Sequence, residues 1–406
     1  MNKKRIPYRW IIVAAVWLVY FFVNNPPCYG TNVISARLVS EHHWGESVAG
    51  LSLSFHYLAI GLAAMPVGWV NQRFGPRRTI LVGSLLGAAC YLALLRVRTE
   101  PGYVVLFFLL GISVSACASV SCPSLVNAWF PRKKALPMAV LMTAGGIGGF
   151  LFPVLSERMT AADMQSPWRL YLGMALAAGA LAVLAIRDKP RQEAERLSDA
   201  GEGARLAPAP GRRGGETLRQ AAAAPRFYYL GFMIFSARAI FSGYISYSLL
   251  CTMEGGIPLA AAARILSAFS VFGMAGRILA AFIDRIPLPL RFQTGVDFAL
   301  LSLGPLCLVF AGGLPACVAA AFFTGLGFGF ENTLFPLLVP HIFGEKHFPM
   351  IYGAYNLMGS AGATIAPLLV FLLRRAVNSY SPGFLMLAAL GLISTALIPL
   401  AFRRTS

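Results

Sequence analysis

Twelve apolar runs, at about 9–31, 46–70, 78–96, 103–127, 135–157, 167–187, 226–253, 260–283, 293–312, 315–340, 348–373 and 382–402, dominate this chain. Each is long enough to cross a bilayer as a helix, which takes about 20 residues at a rise of ~1.5 Å. In hydrocarbon every backbone polar group must be satisfied internally, so only helices and closed barrels span it. The expectation is an all-α integral membrane protein of twelve transmembrane helices. The mean hydropathy of +0.67 and the 12% of charged residues agree, since a soluble domain carries roughly 25%.

The net charge of +18 is distributed by loop. With the N-terminus placed in the cytoplasm, 24 Lys and Arg fall in inner segments and 8 in outer loops, with Arg238 and Arg277 inside spans. That bias orients membrane proteins, so the basicity is a topology signal and not a nucleic-acid footprint. It predicts an integral plasma-membrane protein, in a bacterium one of the inner membrane, with both termini cytoplasmic. The seven cysteines lie in or at the ends of apolar runs without zinc spacing and read as small buried side chains. The first run continues too far, and lacks the small-residue site, for a cleavable signal. No nucleotide loop, metal cluster or nucleophile–base arrangement is present, so neither a cofactor nor enzyme activity is expected, and no obligatory protein partner is inferred.

Charges inside spans are costly and mark function by default. Arg277 interrupts the eighth run, in Gly273-Met-Ala-Gly-Arg277. Gly273 and Ser270 precede it by four and seven residues, sharing its helical face and leaving room for another group. A guanidinium offers five donors in a rigid fork that suits a carboxylate. Arg277 therefore either holds an anionic substrate or pairs permanently with an acid. Glu331 in the tenth run, with Gly327 and Thr324 clearing its face, is the candidate carrier of a coupled proton or the partner of Arg277. His56 is the second proton candidate, against the plainer reading of a satisfied interior histidine. Arg238 is read as reaching for the interface, and Asp297 ranks below Glu331 because it is nearer a helix end.

Asn24, in Asn24-Asn-Pro-Pro-Cys-Tyr-Gly30, sits where prolines should break the first span, and broken helices line transport paths. Tyr244 and Tyr247 share a face of the seventh span, as do Tyr352, Tyr355 and Asn356 of the eleventh, and these could orient a carboxylate or its substituents. The glycine run 145–149 reads chiefly as close helix packing. Residues 188–224 have no apolar run and read as a cytoplasmic linker, with space for a short surface helix.

The two sides of that linker repeat each other. Gln72-Arg73 matches Asp284-Arg285, and Pro137-Met138 matches Pro349-Met350, at an offset of 212; Pro123 and Phe130 match Pro336 and Phe343 at 213. The order and near-constant offset predict a parallel duplication of six spans, with halves 1–187 and 225–406.

The loop Gly68-Trp-Val-Asn-Gln72-Arg73-Phe-Gly75-Pro-Arg77-Arg78 resembles the signature loop of the major facilitator superfamily, departing at Gln72 where the family has aspartate. The resemblance implies that Gly68, Gln72, Arg73 and Gly75, with Asp284 and Arg285 in the second half, gate the cytoplasmic side. Within the superfamily the chain most resembles the monocarboxylate transporter and oxalate:formate antiporter group. That likeness rests on Trp129-Phe130-Pro131-Arg132-Lys133, Gly276-Arg277, Asp284-Arg285, Ile342-Phe343-Gly344 and Tyr352-Gly353. It implies that Arg277 binds a substrate carboxylate. The oxalate branch has a lysine in span 11 that is absent here, which favours a monoanion over a dianion. The expected function is alternating-access transport of a small organic monocarboxylate with a proton. The alternatives are anion exchange without net proton movement, with Glu331 a permanent partner of Arg277; efflux of a cation; and, from another class, a transporter-like membrane sensor, which the short polar linker disfavours.

Overall fold

The computed structural model describes residues 8–31, 34, 44, 47–130, 134–188, 215–282, 288–310 and 313–402. Twelve long helices run through them: α1 (Tyr8–Gly30), α2 (Ser47–Phe74), α3 (Pro76–Leu94), α4 (Glu100–Trp129), α5 (Ala135–Ala162), α6 (Ser166–Leu184), α7 (Pro225–Glu254), α8 (Leu259–Ala280), α9 (Leu290–Phe310), α10 (Leu314–Phe343), α11 (Phe348–Val377) and α12 (Ser381–Ala401). Among the described residues ten are long and apolar enough to cross a membrane. The exceptions are α7, diluted by Arg226, Arg238 and several serines, and α8, whose apolar stretch is Ala268–Ala280. This is the all-α, membrane-spanning architecture that the apolar runs predict.

Local chemistry sets where the helices break. Gly75 takes a left-handed φ of 86° and Pro76 opens α3 behind it, a stop–start pair that suits a missing Cβ and a missing N–H. In α1 the Pro26-Pro27 pair removes two donors, and the chain widens into a π-type turn over Pro26–Gly30, as the prolines predict. A second wide turn, Ser115–Ser119 in α4, has no such sequence signal; the Ser121 hydroxyl donates there to the Ala116 carbonyl at 2.5 Å.

Helices α1–α6 pack mainly among themselves, and α7–α12 do likewise. The two main crossings that join the sets are α2 against α11 and α5 against α8, with a smaller contact of α5 on α10. The main two are equivalent under a six-helix repeat, which exchanges α2 with α8 and α5 with α11. The α2–α11 crossing is backbone-close, for a Cβ on Gly68 would lie 2.4 Å from the Pro349 carbonyl oxygen, and one on Gly353 2.3 Å from that of Ala64. Both lie towards the face where the described chain begins and ends, here termed the terminal face. On that face Lys134 pairs with Glu345 at 2.5 Å and Gln72 meets His347 at 3.4 Å. A short helix, Leu218–Ala223, opened by a Thr217–Gln220 capping box, precedes α7.

Candidate functional site

Where the two sets of helices face each other at mid-depth, they enclose a cavity of about 100 Å³. α1 contributes Tyr20, Asn24 and Cys28, one face of a helix at successive i+4 steps, together with Tyr29; α2 adds Tyr57, and α5 adds Met142 and Gly145. Opposite them stand Arg238 and Phe241 of α7, Arg277 of α8, and Phe328 and Asn332 of α10.

The charged side is built on one ring. Phe328 stacks on Phe241 with centroids 3.7 Å apart. The Arg238 and Arg277 guanidiniums both lie over Phe328, at 5.7 and 5.9 Å from its centroid, within cation–π reach. Arg277 is 7% exposed and its Nε has no hydrogen-bond partner among the described residues. Its Nη1 fills the notch left by Gly146 on the opposite half, where a Cβ would sit 2.6 Å away. Glu331, fully buried, approaches Arg238 rather than Arg277, with 3.9 Å between Oε1 and Nε. Neither Glu331 oxygen accepts a hydrogen bond among the described residues.

Three expectations are thereby corrected. Arg238 does not reach for the interface, because Glu331 and Phe328 hold it in the central cavity. Glu331, for which pairing with Arg277 is one of two readings, stands beside Arg238. The small-residue face of α8 is also filled by α10 backbone, with the Gly325 carbonyl oxygen 3.5 Å from a Cβ placed on Gly273.

Other expected residues fall around this centre or away from it. Asn24 lines the cavity. Tyr352 is buried in electrostatic reach of Arg238 and Glu331, and Asn356 donates to its carbonyl at 2.9 Å. His56 lies behind Cys28, 3.7 Å from its Sγ, with Nδ1 3.2 Å from the Phe107 carbonyl oxygen. Tyr244 packs on Phe269 and Phe384, Tyr247 on Tyr380, and Tyr355 bonds the Phe227 carbonyl; none of these three lines the cavity. Of the gating set, Gly68 and Gln72 touch the other half, Arg73 lies over Trp69 and Phe74, and Gly75 abuts Asp188. Asp284 and Arg285 lie outside the described residues.

Arg238, Phe241, Phe328 and Asn332 went unselected in the sequence. The Tyr20–Asn24–Cys28 stripe, with polar atoms every fourth residue of an apolar helix, was a readable signal. The phenylalanines carried none. Among the described residues no group of three His, Cys, Asp or Glu comes together to hold a metal ion.

Comparison with known proteins agrees with this architecture. The "MFS transporter asaE" of Aspergillus flavus is 24% identical over 96% of this chain and 86% of its own length. The "Probable anion transporter 5" of Arabidopsis thaliana is 25% identical over 51% of this chain, and the match spans about half of that relative, 48%. The "Gallate transporter" of Pseudomonas putida is 27% identical over 37% of this chain and 34% of its own. In three dimensions the major facilitator transporter FucP, solved in the outward conformation, superposes with a TM-score of 0.75 at 14% identity, over 98% of this chain and 99% of that one. The human organic anion transporter MFSD10 gives 0.72 at 15% identity, over 97% and 100%. The Major Facilitator Superfamily model matches residues 12–367, and this chain, whose described residues form long helices around a central cationic cavity, belongs to that superfamily.

Proposed function

We propose that this protein carries a small organic monocarboxylate across a plasma membrane together with a proton, by alternating access of residues 1–187 against 225–406, with both termini cytoplasmic. The observation that carries the reading is the charge count of the cavity: two guanidiniums over one ring and a single acid beside them. Arg238 has Glu331 as a partner, which leaves Arg277 uncompensated. A monoanion neutralises it, and the rigid fork can hold both carboxylate oxygens. If a proton then joins Glu331, the loaded site has the same net charge as the empty one. Both forms can therefore cross the occluded state without a difference in charge burial, which is what symport requires.

Size points the same way. A cavity of about 150 Å³ accommodates benzene, and this one measures about 100 Å³, so a short aliphatic acid fits better than an aromatic one. Asn24, Asn332 and the Tyr20, Tyr29 and Tyr57 side chains supply polar atoms for substituents. The relatives named as anion and gallate transporters support an organic anion as cargo. Proton-independent anion exchange is the second reading, and it requires the Arg238–Glu331 pair to be permanent. The 3.9 Å separation and the bare Glu331 oxygens favour a pair that opens.

The test is uptake of labelled acetate, lactate, pyruvate and benzoate into proteoliposomes under an inward proton gradient. Gradient-driven uptake of one of the short acids is expected, abolished by Arg277→Ala. Glu331→Gln is expected to preserve exchange but to lose the response to the gradient. Uptake that survives Arg277→Ala removes that residue from the anion site.

A further inference from the structure

Behind the anion site, on the side away from the cavity, α9 and α10 run antiparallel and bury a second acid. Asp297 of α9 is fully buried, and neither of its carboxylate oxygens has a hydrogen-bond partner among the described residues. The register of the two helices brings it to Glu331. Thr324 lies against Gly304 and Gly327 against Leu301, so the next turn sets Glu331 opposite Asp297, and the two carboxyls interact electrostatically. One turn further along α9, towards the terminal face, Gln293 is buried, donates Nε2 to the Leu288 carbonyl at 3.0 Å, and leaves Oε1 without a partner. Buried polar atoms are nearly always paired, and here unpaired ones form a row from Glu331 through Asp297 to Gln293.

The surroundings determine what the row can hold. Facing Glu331 are Arg238 from α7, Arg277 from α8 and the Tyr352 hydroxyl from α11. Facing Asp297 is Glu331 from α10, while α12 packs on α9 to either side of it through Ile398 on Gly295 and Gly391 on Ser302. Two ionised carboxylates this deep would repel each other and pay full desolvation, with the cations on the Glu331 side alone. Sharing a proton relieves both penalties.

The geometry points to a proton-sharing pair: Asp297 and Glu331 hold one proton between them, and Asp297 is the positioning acid through which the coupled proton passes from the anion site towards the terminal face. This deepens, and rests on, the proton-coupled reading above. With the coupled proton on Glu331 and the shared one on Asp297, both acids are neutral, Arg238 is released and two guanidiniums hold the anion. When Asp297 gives up its proton towards the terminal face, the O–H bond of Glu331 breaks and its proton bonds to the vacated Asp297 oxygen, so that Glu331 becomes a carboxylate, recaptures Arg238 and loosens the anion, and the pair again holds one proton. Proton departure is thereby tied to anion release on one face. The Gln293 Oε1, otherwise without a partner, can accept a hydrogen bond that orients the protonated Asp297 carboxyl towards that face.

The experiment uses the full chain in liposomes and two readouts. In the first, infrared difference titration of the wild type shows a protonated-carboxyl band at neutral pH, which disappears or shifts in both Asp297→Asn and Glu331→Gln and persists in Asp297→Glu. In the second, with labelled pyruvate, gradient-driven accumulation by Asp297→Asn falls about tenfold or more, one decade of the coupling equilibrium, while pyruvate–pyruvate exchange at equal pH persists. A band unmoved by Asp297→Asn overturns the pair. So does a parallel fall of exchange and accumulation, which signals a structural acid, and so does sodium-dependent uptake without a protonated-carboxyl band, which makes the row a sodium site. If the band behaves as expected but wild-type accumulation ignores the proton gradient, the pair stands and the symport reading is what fails.

Discussion

At the scale of single residues, the site turns on which cation Glu331 neutralises. Its 3.9 Å approach to Arg238 leaves Arg277 without an acid of its own, so on the proposed reading the two arginines are not interchangeable. Arg238→Gln strands a buried carboxylate. It is expected to lower stability by roughly 2 kcal/mol, less than the 3–5 kcal/mol of a fully buried broken pair because Arg238 is 27% exposed. Thermal unfolding in detergent checks this, and the double change Arg238→Gln with Glu331→Gln should recover most of the loss. Arg277→Lys keeps the charge but replaces a bidentate fork with a point charge. The affinity for pyruvate should fall about tenfold while the unfolding temperature holds, one decade being the value of roughly 1.4 kcal/mol of lost hydrogen bonding; binding calorimetry reads this directly. Arg277 and Glu331 were visible in the sequence because a charge in an apolar run needs a reason. Their partners were not, because an interaction across helices has no fixed spacing along the chain.

At the scale of the helix, the position of Arg277 depends on how closely α8 and α10 cross. A Cβ on Gly329 would lie 2.0 Å from the Gly273 carbonyl oxygen and 3.0 Å from the Arg277 nitrogen, and one on Gly276 would lie 2.1 Å from that of Leu326. Small residues allow backbones this close in a membrane. Gly329→Ala must push the α8 backbone back, and should cost about 1–3 kcal/mol as other overpacked sites do, together with anion affinity. Gly173→Ala is the control: nothing lies within 4 Å of its Cβ position, and in a helix it should be neutral or slightly stabilising. Unfolding temperatures of the two variants, measured side by side, decide the point. The glycine-rich stretch of α5 has a comparable double role, since Gly148 admits Asn25, which bonds the Ala144 carbonyl at 3.0 Å, while Gly146 admits the Arg277 guanidinium.

At the scale of the whole molecule, the two sets of helices are latched on the terminal face. Gly68 on Pro349 and Gly353 on Ala64 bring the backbones together, and Lys134–Glu345 and Gln72–His347 tie the loops above them. Glu345 is half exposed, at 48%, so its ion pair contributes little to stability. It is made across the interface that the proposed alternating access would part, however, and would so bias one state over the other. Glu345→Ala should shift the balance towards opening of this face by several-fold, on the order of 1 kcal/mol. Spin-label distances between the α4–α5 and α10–α11 loops should show a larger open population, and Lys134→Glu with Glu345→Lys should reverse it. An unchanged distance distribution would make the pair incidental.

The sequence by itself determined the class of the molecule. Apolar runs of spanning length, loop charges on alternate sides, a six-span repeat and the Gly68–Arg78 loop identify a twelve-helix facilitator, because hydrocarbon imposes its requirement on each segment separately. It also marked the costly residues, Arg277, Glu331 and Asn24, for the same local reason. Only the tertiary structure decided that Glu331 belongs to Arg238, that Phe328 carries both guanidiniums, and that Asp297 continues the acid row away from the cavity. Those facts depend on which helix faces which and on their relative register. Long-range packing sets both, through glycines whose bare backbones look alike in the sequence whether they meet a neighbouring helix, a guanidinium or open space.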